Sequence, residues 1–260
     1  MREKEFIKER QNSIVSYIAS NGRANVSQLA ELFDVTDVTI RRDLITLEHR
    51  GHILRTHGGA ISNNEKSIWQ KTSLECRINQ SIEKKKAIAK ATVKLLKNGQ
   101  SIFLDGGSTV AYVAKEMSLL KELLIVTNSL TIAQSVMGLN GNRVILTGGE
   151  LETQTDVILG PTCVEQLNRY RTDIAIIGVS GLLIDEGIFS SIPEEKATKS
   201  IMIKNAKKVI VVTDSSKIGQ TAFTLVETIE KIDYIVTDSD LSKDKIQRLK
   251  EKKINLIIAK

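Results

Sequence analysis

A chain of 260 residues with 41% hydrophobic and 26% charged residues carries enough apolar surface for a sizeable core, which excludes a disordered chain, and its length favours a small domain joined to a larger one. The formal net charge of +6 suits a polyanionic partner, although much of the lysine excess falls between Lys243 and Lys253. Cys76 and Cys163 lie far apart without metal-ligand spacing, no apolar run approaches a membrane span, and MREKEFIKERQ is charged from the start with no signal-type apolar core after it; this argues against a disulfide scaffold and a membrane span, and a cytoplasmic protein with both cysteines as buried thiols is expected.

From Glu3 to about Asn21, Phe6, Ile7, Ile14, Val15 and Ile18 recur at helical spacing and Asn21-Gly22 supplies a stop, which predicts a first amphipathic helix. Asn25-Val26-Ser27 is a short extended lead with Ser27 as candidate N-cap, and Leu29, Ala30, Leu32 and Phe33 predict a short second helix ending near Asp34. Val35-Thr36 begins a third helix whose seam is Ile40, Leu44 and Leu47, with Gly51 at its end, where a left-handed residue is cheap. Ile53-Leu54-Arg55 and the stretch from His57 to Ile61 then read as two short strands turning near the glycines. Three helices and a wing fill residues 1–61.

Residues 62–77 lack periodicity, contain the single tryptophan, Trp69, and are expected as a linker. Over residues 78–260 short apolar runs alternate with helical stretches: SIFL at Ser101, LLIV at Leu123, RVIL at Arg143, IAII at Ile174, VIVV at Val209, YIV at Tyr234 and NLII at Asn255. Strands buried on both faces read as continuous apolar runs, so this alternation predicts an α/β domain with a mostly parallel sheet covered by helices.

On the third helix, burial of Ile40 and Leu44 leaves Asp37, Val38, Thr39, Arg41 and Arg42 on the flank and outer face. Arginine can fork onto guanine or a phosphate, threonine can bond either, and a small apolar side chain can meet a thymine methyl. Ser27 and Thr36 flank this element, and Arg55 and His57 on the wing are placed for the neighbouring backbone or minor groove. Arg41-Arg42 alone would equally suit a solvated helix face. The context decides otherwise: VSQLAELFDVTDVTIRRDLITLEHRGHILRTHGGA resembles the N-terminal signature of the DeoR family of bacterial sugar-metabolism regulators, above all in Thr39-Ile40-Arg41-Arg42-Asp43-Leu44 and His57-Gly58-Gly59-Ala60. The resemblance implies a winged helix-turn-helix, operator DNA as partner, and a homodimer or homotetramer. His49, His52 and His57 have no cysteine or acidic cluster spaced to complete a metal site, and none is expected.

Ligands of open α/β sheets sit beyond the carboxyl ends of the strands. There the sequence is small and polar: Asp105-Gly106-Gly107-Ser108-Thr109, Thr127-Asn128-Ser129, Thr147-Gly148-Gly149, Gly178-Val179-Ser180-Gly181, Thr213 to Lys217, and Thr237-Asp238. A glycine-rich turn leading into a helix leaves N–H groups free for a phosphate, and Ser108 and Thr109 add hydroxyls. DGGST is neither GxGxxG nor a Walker A string, so no nucleotide cofactor is expected. From about Glu75 onward the chain resembles the DeoR-family sensor domain, itself similar to ribose-5-phosphate isomerase. That resemblance implies a phosphorylated sugar or polyol as effector, with Gly107-Ser108-Thr109 and Lys217 holding the phosphate. It also implies that Glu195, or Glu194 if the loop slips by one residue, meets the sugar hydroxyls.

Aldose–ketose isomerisation needs a carboxylate base with polar partners for the enediolate. Where the isomerases place two aspartates, this chain has Ile177 and Ser180, with Asp185 and Glu186 the nearest other acids. Binding is therefore expected rather than catalysis. The expected activity is a repressor released from its operator by a sugar phosphate; the rival is a sugar-phosphate isomerase with an appended DNA-binding domain.

Overall fold

The computed structural model describes residues 2–49, 52–56, 58–62, 73–252 and 254–260; Gly51, His57 and Trp69, expected as helix end, wing contact and linker centre, lie outside them. The chain divides into two compact units, Met1–Gln70 and Lys71–Lys260.

In the first unit, α1 (Arg2–Asn21), β1 (Arg23–Asn25), α2 (Val26–Leu32) and α3 (Asp37–His49) precede the antiparallel pair β2 (Ile53–Thr56) and β3 (Gly59–Ser62), and β1 lies on the other edge of β3. Ile14, Ile18, Leu29, Ile40, Leu44, Leu47 and Ile53 form one buried cluster, so the periodic positions are the core. Two local expectations change. Asn25, not Ser27, caps α2: its side chain accepts from Gln28 N at 2.7 Å while Gln28 Oε1 accepts from Asn25 N at 3.1 Å. This reciprocal box satisfies two donors at once, which a lone serine cannot do. Leu32 is 53% exposed rather than part of the helix's packed face.

The second unit begins with α4 (Leu74–Ile78), inside the stretch expected as linker, and α5 (Ile82–Val93). Then follow β4 (Ser101–Leu104), α6 (Ser108–Glu116), β5 (Leu124–Thr127), α7 (Leu130–Val136), β6 (Arg143–Leu146), β7 (Glu150–Glu152), β8 (Val157–Leu159) and α8 (Pro161–Asn168). After them come β9 (Thr172–Gly178), β10 (Gly181–Leu183), β11 (Gly187–Ser190), α9 (Glu195–Lys204), β12 (Ala206–Val212), β13 (Thr224–Thr228), β14 (Tyr234–Asp238), α10 (Lys243–Glu251) and β15 (Asn255–Ala259). The seven apolar runs are the strands of one seven-stranded sheet, all parallel, in the order β15-β14-β12-β9-β4-β5-β6.

Alternate strand residues feed two cores. Phe103, Val126, Ala175, Ile177 and Val211 pack with Leu167, Met202 and Leu249 on one face. Ile102, Leu104, Ile125, Ile176 and Ile210 pack with Ile88, Val110, Val113 and Ile132 on the other. Burial on both faces is why the runs show no period-two alternation. Two small antiparallel groups were not expected: the hairpin β7-β8 and the sheet β10-β11-β13. Among the described residues no helix is long and apolar enough to cross a membrane.

Candidate functional site

The first surface is the outer face of α3. Thr36 opens the helix, with its hydroxyl accepting from Thr39 N at 3.3 Å and lying 3.0 Å from the Thr39 hydroxyl. Thr36, Asp37, Val38, Arg41 and Arg42 are exposed, and Thr39 is half-buried. Val38 is 60% exposed, an apolar side chain on a polar face that suits a thymine methyl. Among the described residues no ion pair engages Arg41 or Arg42. Asp43, next in sequence, is buried and accepts from Arg10 Nε at 2.7 Å and Gln11 Nε2 at 2.9 Å, so it bolts α1 to α3. Sequence reasoning missed that role because the partners lie over thirty residues away. Ser27 is exposed on α2, and Arg55 is an exposed residue of β2 whose guanidinium is 3.6 Å from Glu48. A surface pair of this kind is worth about 0–1 kcal/mol, so Arg55 can exchange Glu48 for a phosphate.

The second surface is a cleft of about 300 Å³, including its open mouth, in the larger unit. Strands β4, β5 and β6 succeed one another on one side of the sheet and β9, β12, β14 and β15 on the other. The chain therefore reverses its direction of build between β4 and β9, where a crevice opens at the strand ends. The cleft takes Gly106 to Thr109 after β4, Gly178 to Ser180 at the end of β9, Glu195 and Lys199 from α9, Lys217 after β12, and Arg77 from α4. Gly107 has φ of +151°, a conformation that side-chain-bearing residues avoid, and a Cβ on Gly106 would lie 2.0 Å from Val157 Cγ1. The turn thus delivers the unpaired first N–H groups of α6 to the cleft. Among the described residues the Ser108 and Thr109 hydroxyls have no protein hydrogen-bond partner. Lys217 sits on a turn tied down by Asp238, which accepts from Ser215 N at 2.6 Å and Ser215 Oγ at 2.8 Å, and its Nζ donates to Val179 O at 3.1 Å.

At the floor, Lys199 Nζ donates to Asp105 Oδ2 and, at 3.1 Å, to Gly178 O, and lies 3.5 Å from Glu195 Oε2. Glu195 Oε2 also accepts from Ser190 Oγ at 2.7 Å, and Asp105 Oδ2 from Gly178 N at 3.0 Å. Burial drives the Asp105 carboxyl up to about 6, with Lys199 opposing the rise and Glu195 adding to it. Burial also works against the charged form of Lys199, but the carboxylates of Asp105 and Glu195 outweigh it and hold the ammonium above the ordinary lysine value. A carboxyl whose pKa rises on folding keeps its proton in the folded state over a range where the unfolded chain has lost it. Its contribution to stability therefore falls as pH rises from about 4 to about 6 and levels off above that. Asp105→Asn removes this titration, and urea unfolding across that range is expected to show the variant gaining stability relative to the wild type as pH rises; parallel curves would refute it.

Seven of the expected effector residues thus line the cleft: Gly106, Gly107, Ser108, Thr109, Ser180, Glu195 and Lys217, with Asp105 beneath them. Thr127, Asn128, Ser129, Gly148 and Gly149 do not line it. Thr127 Oγ1 donates to Leu104 O at 2.7 Å, Asn128 Nδ2 to Ile158 O at 3.0 Å, and Ser129 caps α7. Gly148 N donates to Gln166 Oε1 at 2.8 Å, and a Cβ on Gly149 would lie 2.5 Å from Leu159 O. Thr127 thus ties β5 to β4, Ser129 caps α7, Asn128 and Gly149 pack on β8, and Gly148 is held by α8. Ile177 is fully buried in the core, and Ser180 Oγ is 3.3 Å from Ser191 Oγ. Asp185 is ion-paired to Arg248 and Lys252 at the surface, and neither it nor Glu186 lines the cleft. Lys199 and Arg77 were missed. Lys199 left a signal, four residues after Glu195 and so on the same helix face; Arg77 left none. Among the described residues no group of three or more histidine, cysteine, aspartate or glutamate side chains could hold a metal ion.

Known family models match both parts of the chain. The DeoR C terminal sensor domain matches residues 80–239 and the DeoR-like helix-turn-helix domain matches residues 10–66. The chain is 32% identical to the HTH-type transcriptional regulator GlpR of Haloferax volcanii, with 96% of each chain covered. It is 33% identical to the glycerol-3-phosphate regulon repressor of Escherichia coli, over 89% of this chain and 90% of that one. Among solved structures, ribose 5-phosphate isomerase A from Methanocaldococcus jannaschii is similar over 52% of this chain and 53% of that one, with 22% identity and a TM-score of 0.37.

Proposed function

Because this chain belongs to the DeoR family of transcriptional regulators, we propose that it represses sugar or polyol metabolism genes and leaves its operator when a phosphorylated sugar occupies the cleft. Its activity is regulation through DNA binding, not catalysis. The observation that carries the effector assignment is the meeting in one cleft of the first-turn amides of α6, the Ser108 and Thr109 hydroxyls and the Lys217 ammonium. A phosphate there gains N–H donors, hydroxyls, the helix dipole and a cation together. Glu195, whose carboxylate borders the same cleft, is an acceptor suited to sugar hydroxyls. The DNA half rests on Thr36, Asp37, Val38, Thr39, Arg41 and Arg42 in and just before the first two turns of α3, flanked by the exposed Ser27 and Arg55; His57, assigned the same role, lies outside the described residues. Twofold-symmetric operators favour a dimeric or tetrameric reader in the cytoplasm.

Fluorescence anisotropy on promoter DNA from the protein's own locus tests this reading, using glycerol 3-phosphate, ribose 5-phosphate and hexose 6-phosphates beside their unphosphorylated forms. One phosphorylated compound is expected to weaken operator binding by about 5–150-fold, the range of a coupling free energy of about 1–3 kcal/mol. Linkage is reciprocal, so operator DNA must weaken binding of that compound by the same factor. Equal binding of free and phosphorylated sugars, or indifference to Lys217→Ala, would remove the cleft from the mechanism.

A further inference from the structure

The cleft draws its cations from three separate elements: Arg77 on α4, Lys199 on α9 and Lys217 on the turn after β12. Lys199 is already committed, with Asp105, Gly178 O and Glu195 around its ammonium. Lys217 supplies a single point charge at the wall. Arg77 differs from both in chemistry and in place. Its planar guanidinium can give a phosphate two parallel hydrogen bonds, which a lysine cannot.

The helix carrying Arg77 is held at both ends by groups of the same unit. At the carboxyl end, Lys85, only 2% exposed, donates to Arg77 O and, at 2.6 Å, to Gln80 O, and Tyr112 Oη donates to Ile78 O at 3.4 Å. A buried ammonium on the last carbonyls of a short helix neutralises groups that would otherwise lack partners. At the amino end, Leu74 N donates to Gln154 O at 2.8 Å, in the turn between β7 and β8. The same hairpin presents Val157 to the phosphate turn, so close to Gly106 that only glycine fits. The phosphate turn, the hairpin and α4 are therefore consecutive members of one packed chain of contacts. Residues 63–72, immediately before this segment, join it covalently to the first unit.

We propose that Arg77 is a phosphate ligand of the cleft, and that its engagement on α4 is the step that passes effector occupancy to the segment leading to the reading head. The proposal rests on the cleft being the phosphate site. It separates the cations by role: Lys199 organises the floor, Lys217 supplies affinity, and Arg77 supplies affinity together with coupling.

The test uses the full chain, its promoter DNA, and two probes: inorganic phosphate and whichever sugar phosphate releases the wild type. Arg77→Met and Arg77→Gln are compared with Lys217→Ala by calorimetry, thermal midpoint and operator binding. Loss of a charge-assisted bidentate contact is expected to weaken both probes by about 10–100-fold in the Arg77 variants. With the sugar phosphate raised to saturation, the Arg77 variants are expected to stay on the operator, whereas saturated Lys217→Ala still releases. Unaltered probe binding by folded Arg77→Met and Arg77→Gln would overturn the ligand assignment, and full release at saturation would overturn the coupling role. If the wild type itself binds neither probe, the reading of the cleft falls and this inference with it. Binding that Lys217→Ala abolishes and both Arg77 variants retain sinks this inference alone.

Discussion

Arg41→Ala and Arg42→Ala are each expected to erase the operator footprint while leaving the fold intact. Both side chains are exposed, and the burial that holds α3 in place comes from Ile40, Leu44, Leu47 and the buried Asp43, so neither truncation touches the core. A good bidentate contact to a base discriminates by about 1–3 kcal/mol. If two reading heads engage a twofold operator, the loss counts twice, about 2–6 kcal/mol, which moves a specific complex toward non-specific affinity. A base-reading arginine relaxes sequence preference at one position, whereas a phosphate-binding arginine weakens all sequences alike and flattens the salt dependence. Footprinting and salt titrations of the purified variants separate these roles. Unchanged protection by both variants would show that α3 does not read DNA.

Lys199→Met is expected to be the most damaging single substitution in the larger unit, costing about 3–5 kcal/mol of stability, because it leaves two buried carboxylates without their shared counter-charge. Typical domains have about 5–15 kcal/mol in total, so the variant should sit near unfolding at neutral pH. Acid should relieve part of the loss, since Asp105 takes up a proton near pH 6 even with the lysine present. Combining Lys199→Met with Asp105→Asn and Glu195→Gln should recover most of it, because removing a whole buried ionic group costs far less than breaking it. Urea midpoints of the single and triple variants, followed by circular dichroism, decide this. A Lys199→Met midpoint equal to wild type would show that the triad bears no stability.

Much of this protein is legible in its amino-acid sequence. The helical seam Ile40, Leu44 and Leu47 marks its own buried face, because period 3.6 is imposed by local geometry and needs no knowledge of the partner. The seven apolar runs equally mark strands buried on both sides, because they are short, unbroken and separated by helical stretches. The family signature in Thr39 to Leu44 and in the wing glycines identifies the DNA-reading unit. Less visible are elements whose existence depends on distant partners. The strands β7, β10 and β11 are three or four residues long, carry no period of their own and exist by pairing. The helix α4 has five residues and is held by Lys85 and Gln154, neither of which is local to its own turn.

The polar strand ends show the same division most sharply. Residue by residue, Asp105 to Thr109, Thr127 to Ser129, Thr147 to Gly149 and Ser180 look alike: small, polar and placed after an apolar run. Their composition establishes that the carboxyl edge of a parallel sheet is polar, but cannot rank its members. Strand order does that. Because β9 returns to lie beside β4 rather than beyond β6, the ends of β4 and β9 diverge and open a crevice, while Asn128, Ser129 and Gly149 are closed over by β8. Sequence neighbours cannot reveal which strands become spatial neighbours, because that depends on how each crossover helix packs its apolar face against the whole sheet. The same long-range choice brings Asp105 to Lys199 and Arg77 to the cleft of Ser108, turning scattered polar residues into one charged cleft.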